Sequence, residues 1–224
     1  LNTEQQTIPV VTDPNQKASS FFTIPAKVVS YLFHPLFIPT YFFLFLVYQF
    51  RYEFAGVSDF QLNLKIFSTF WMTAFFPAFA VFLLWRTGLV SNIYLRTRKE
   101  RIIPFFITMF FYWWMFYLGR NLPDQPIVLK PFYLGIFITT FTGVVINNYM
   151  KISLHAIAMG SVCAAIILTA FYYRAPLGLA ISIAALLTGL VCTCRLILRE
   201  HNTTEIYTGL ILGVICQFIG FWAM

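Results

Sequence analysis

The stretch that decides the fold is KISLHAIAMGSVCAAIILTAFYY, residues 151–173. It opens on Lys151, Ser153 and His155 and continues as an apolar run of about twenty residues, the length a helix needs to cross a bilayer. Six further runs of this kind, at 28–50, 65–86, 102–119, 130–148, 176–195 and 205–223, join the one at 153–172. The chain is 59% hydrophobic and only 10% charged, which leaves too little polar surface for a soluble domain of this size. Its 27 Phe suit a lipid-facing exterior. The sequence therefore predicts an all-α fold, a polytopic transmembrane helical bundle of about six to seven spans. Pro35, Pro39 and Pro77 fall inside runs and predict kinks there.

Outside the runs the chain is short of material. Residues 1–25 read as a polar, flexible tail without the basic start and short apolar core of a signal peptide. Residues 26–224 form one transmembrane domain, and Leu122-Pro123-Asp124-Gln125-Pro126 is a turn cluster. The net charge of +7 is concentrated in short loops, so anionic headgroups and topology account for it, and nucleic acid is not an expected partner. Cys163, Cys192, Cys194 and Cys216 all sit in apolar runs, with neither zinc-ligand nor disulfide spacing.

Polar clusters at the ends of these runs carry the chemistry. Ionisable groups at membrane depth are costly and usually functional. Arg98 and Arg101 precede the third run, Lys151, Ser153 and His155 the fifth, and Arg195, His201 and Glu205 the seventh. Two crossings separate each cluster from the next, so all three are expected on one side of the membrane. His201 and Glu205 are four apart and share a helical face; a carboxylate on one imidazole nitrogen fixes the tautomer and leaves the other free to attack. Asn202-Thr203-Thr204-Glu205 also reads as a capping box. Ser153 is a candidate cap for the fifth span. Ser153 and His155 are two apart, a poor geometry for a serine nucleophile and its base. His34 has no partner in sequence and reads as structural.

Arg101 with Pro104, Ser153 with His155, and Arg195 with His201 resemble, in order and separation, the three motifs of the type 2 phosphatidic acid phosphatases, integral membrane enzymes related to the vanadium-dependent haloperoxidases. The third motif is closest in spacing: Cys194-Arg195, five residues, His201, three residues, Glu205. The sequence departs from the family pattern at four places. Glu205 stands for an aspartate, Ile152 and Leu154 replace a proline and a glycine, Ile102 and Ile103 separate Arg101 from Pro104, and Tyr94 stands where a lysine is usual.

The resemblance covers about residues 60–224. It implies a phosphatase acting on a lipid phosphate or polyprenyl diphosphate, with His201 as nucleophile, Glu205 orienting it and His155 as acid. Arg98, Arg101, Lys151, Ser153 and Arg195 would hold the phosphate, and no metal or other cofactor is implied. A non-catalytic membrane subunit or anion-binding protein that keeps the fold, and a lipid phosphotransferase, are the alternatives. The expected setting is a bacterial inner membrane. The motif side carries ten Lys and Arg against five opposite, which favours a cytoplasmic face, whereas the family commonly places its site on the outer face. The choice of lipid and the oligomeric state are not legible, because a lipid tail would meet generic apolar helix faces.

Overall fold

In the computed structural model, residues 20–95, 97–122 and 125–224 are described. Their helices are α1 (Ser20–Leu32), α2 (Ile38–Gln49), α3 (Asp59–Phe70), α4 (Phe76–Arg86), α5 (Ile102–Asn121), α6 (Leu129–Tyr149), α7 (Leu154–Tyr173), α8 (Gly178–Ile197) and α9 (Thr203–Trp222), with no strand among the described residues. Seven helical segments are long and apolar enough to cross a membrane: Phe21–Gln49, Asp59–Arg86, Lys99–Asn121 and the four helices α6 to α9. The protein is an all-α polytopic membrane bundle.

Two segments begin earlier than hydropathy suggests. Residues 20–25 of the expected tail are already helical; residues 1–19 lie outside the described residues. The second segment starts at Asp59 rather than 65, because Ser58 and Gln61 form a capping box. Ser58 Oγ accepts from the Gln61 amide at 3.3 Å, and Gln61 Oε1 accepts from the Ser58 amide at 3.0 Å. Of the turn cluster near residue 122, Pro123 and Asp124 lie outside the described residues.

The prolines shape the first two segments. A residue before proline is pushed out of the helical region, and His34, with φ −63° and ψ 138°, breaks the chain between α1 and the 3₁₀ turn Pro35–Phe37. In the second segment Pro77 has no amide to give to the carbonyl four residues back. A π-helical turn at Trp71–Phe75 stands immediately before it, where the ladder would otherwise be broken.

Helices α7 and α9 run in the same direction and pack closely through small residues. A Cβ at Gly213 would strike Ile157 O, and one at Gly160 would strike Leu210 O. Small residues let membrane helices approach at backbone distance. The same contact holds the two helix starts side by side, with the Ser153 amide donating to Glu205 O at 3.3 Å. α6 packs on both α5 and α9, α8 on α7, and α1 lies along α8. The core is aromatic where α2 meets α6, with Phe42 and Phe132 ring centroids 4.2 Å apart. Large apolar side chains such as Phe67, Phe141 and Leu186 face outward.

Candidate active site

The third cluster is built by the start of α9. Asn202 caps the helix, its Oδ1 accepting from the Glu205 amide at 2.8 Å. Glu205 Oε2 turns back to accept from His201 Nδ1 at 2.7 Å and from the Asn202 amide at 3.4 Å. The capping box and the histidine–carboxylate pair are thus the same carboxylate in two roles. With Nδ1 held by Glu205, Nε2 is the nitrogen left for chemistry. Burial pushes the His201 imidazole down to about 4; Glu205 pulls it upward, while Arg101, Arg195 and Lys151 press it down further. His201 is therefore a neutral base near pH 7.

Cations from three elements surround it. Arg101, 7% exposed, donates from Nε to Leu95 O at 2.9 Å and from Nη1 to Ile152 O at 3.1 Å. That second bond ties the first cluster to the second. Arg195, in the last turn of α8, lies 3.9 Å from Glu200 through Nη2. Its Nε is buried without a hydrogen-bond partner among the described residues. Lys151 Nζ donates to Glu200 O at 3.1 Å, and burial, with Arg101 beside it, lowers the ammonium from its ordinary range.

The second cluster differs from its sequence reading in one place and is enlarged in another. Ser153 is fully buried and caps α7, its Oγ accepting from the Ala156 amide at 3.4 Å. It does not reach the cavity that the histidines line. His155, in the first turn of α7, donates from Nε2 to Ser30 O at 3.0 Å. Its ring stands edge-on to His34, with centroids 5.6 Å apart. Sequence reasoning left His34 as structural because its partner lies 121 positions later; the only local sign was its place at the Pro35 break. Arg98 turns away from the site, donating from Nη1 to Asn148 O at 3.2 Å and Tyr149 O at 2.7 Å, where it satisfies carbonyls at the end of α6.

Arg101, Arg195, His201, His155 and His34 share the polar end of one cavity of about 600 Å³. Lys151, Glu205, Arg98 and Ser153 are not part of this lining, though Glu205 bonds His201, which is. No group of three metal-ligating side chains occurs among the described residues, and the four cysteines are free thiols. No family model matches the chain, and neither a curated protein nor a solved structure matches it.

Proposed function

We propose that the protein is a membrane phosphatase for a lipid phosphate or polyprenyl diphosphate, working through a phosphohistidine with side-chain cations in place of a metal. The observation that carries this reading is the His201–Glu205 pair at 2.7 Å, set beside Arg101 and Arg195 in a cavity that also holds His155. Nothing in helix capping calls for two arginines and a second histidine at that place.

In this reading His201 Nε2 attacks phosphorus in line, and the bond from phosphorus to the lipid oxygen breaks. Glu205 keeps the ring oriented and stabilises the imidazolium that forms. Arg101 and Arg195 hold the phosphoryl oxygens as charge redistributes, the dominant contribution in phosphoryl transfer. His155 gives a proton to the departing alkoxide. Because Nε2–H is held by Ser30 O, the proton delivered is the one on Nδ1, so the ring must be doubly protonated, as imidazolium, when it acts as the acid. Water then attacks the phosphohistidine, releasing phosphate and restoring His201. Helical spans rather than a β-barrel fit a bacterial inner membrane.

The test is phosphate release from phosphatidate, phosphatidylglycerol phosphate and a polyprenyl diphosphate in detergent with a chelator present. Release by the unmodified protein and its loss in His201→Ala support the reading. No release from any of the three would end it. The same bond from His155 to Ser30 O favours a second reading, an anion-binding protein in which His155 only pins α1 to α7.

A further inference from the structure

The cavity is much deeper than a phosphate site requires. From the arginine end it passes Thr108 and Tyr112 of α5 and Thr139 and Thr140 of α6. Tyr112 is eleven residues beyond Arg101, about 16 Å along a helix, which is half of a hydrocarbon core about 30 Å thick.

The hydroxyls at this depth are turned onto backbone. Thr108 donates to Pro104 O, Thr139 to Gly135 O and Thr140 to Ile136 O, at 2.8, 2.7 and 2.7 Å. Each bond returns to the residue's own helix four positions back, so the hydroxyls are satisfied without a guest. With these three hydroxyls occupied and Ile136 and Pro77 in the same lining, the wall favours hydrocarbon over water.

The two ends therefore ask for different chemistry. The polar end holds the buried Arg195 Nε, which has no acceptor among the described residues, and the Arg101 guanidinium. The deep-end side chains Thr108, Tyr112, Thr139 and Thr140 carry no charge, and Ile136 and Pro77 give that end apolar wall. At about 30 Å³ for each water-sized group, a cavity of about 600 Å³ holds roughly twenty groups, enough for a phosphate and one chain of a dozen carbons or slightly more. Two such chains do not fit.

The geometry points to a single-chain phosphate monoester as the ligand of this cavity, its one tail drawn into the bundle and its phosphate on Arg101 and Arg195. This rests on the phosphate reading of the site and adds the number and place of the tails. Diacyl lipids, with two tails, are excluded from the interior. The tail does not lie along the outer helix faces, where any lipid would serve.

Binding can be measured apart from turnover by using His201→Ala protein, which retains both arginines. Titrate it in detergent with dodecyl phosphate, dioleoyl phosphatidate and inorganic phosphate, and read bound ligand by native mass spectrometry. Dodecyl phosphate is expected to bind at least about tenfold more tightly than either of the others. Adding Ala158→Phe, which fills the cavity wall on α7 within one turn of His155, is expected to remove that advantage while leaving inorganic phosphate binding unchanged. Equal binding of dodecyl phosphate and phosphatidate would overturn the inference, and so would equal binding of inorganic phosphate.

A chain-length series on protein with Ala158 intact avoids any folding defect from the filled cavity. Affinity should rise to about twelve to fifteen carbons and then fall; a steady rise through eighteen carbons overturns the inference. If dodecyl phosphate binds as expected but the unmodified protein releases no phosphate, the phosphatase reading fails and this one stands. If phosphate is released equally fast from one- and two-chain lipids, the reverse holds.

Discussion

The starts of α7 and α9 lie side by side, and each carries a histidine near a polar helix cap. They solve the placement of that histidine differently. At α9 the partner is a carboxylate four residues away, Glu205, on the same helix. At α7 the partners are neutral and distant in sequence, the Ser30 carbonyl and the His34 ring. A carboxylate partner supports a ring that must gain positive charge, as a nucleophile does when it takes phosphorus. A carbonyl partner fixes orientation without supplying charge, which suits a group that gives a proton away. The difference teaches that two histidines of equal prominence in sequence are held in opposite ways, one by a charged partner within its own helical turn and one by neutral partners from another element.

Substitutions can break or sharpen that contrast. The largest effect is expected from His201→Ala, a loss of several orders of magnitude in phosphate release, with no recovery when the lipid alcohol is replaced by nitrophenol. His155→Asn should lose about 10²–10⁴-fold on a lipid phosphate but recover most of its rate on nitrophenyl phosphate, whose leaving group needs no proton. Equal recovery in both variants would erase the distinction.

Glu205→Gln is next, at about 10²-fold or more in kcat. Glutamine can still complete the capping box, so the thermal midpoint should stay near that of the unmodified protein. A matching fall in stability would make Glu205 a cap alone.

The pH profile is a smaller test. Burial and three cations hold the His201 imidazole at about 4. It is protonated below that pH and free to attack above it, so kcat/KM should rise with pH through a midpoint below about 6, under the ordinary imidazole value of about 6.5. A rising limb centred above 7 would contradict the electrostatics described. The smallest effect belongs to Arg98→Gln. Because Arg98 donates to the end of α6 and stands outside the cavity, kcat should change by less than about threefold, while the thermal midpoint falls by a few degrees.

The fold was legible because hydropathy acts over twenty residues at a time. Seven apolar segments were expected and seven are present among the described residues. The boundaries that moved did so for local reasons, a capping box at Ser58 and a helix that begins at Ser20 despite Pro25. The α9 side of the site was legible for a similar reason, since His201 and Glu205 meet within one helical turn. The α7 side was not. His34 reaches His155 only because Pro35 breaks the first segment and Ser30 packs on α7, a tertiary event with no local signature. Ser153 matches the second motif and Arg98 only substitutes for the lysine missing at Tyr94, and each is occupied by nearby backbone groups, Arg98 by carbonyls ending α6 and Ser153 by the Ala156 amide. The cavity could not be read either, because it is bounded by side chains from separate helices, α5, α6 and α7 among them.

The most direct measurement is a rapid acid-free quench of the protein with a ³²P-labelled single-chain lipid phosphate, followed by peptide mapping. Label that is stable to alkali, labile to acid and confined to the peptide containing His201 is expected, and it should vanish in His201→Ala. Phosphate release without any label on His201, or label retained after its removal, would contradict the assignment of His201 as the nucleophile.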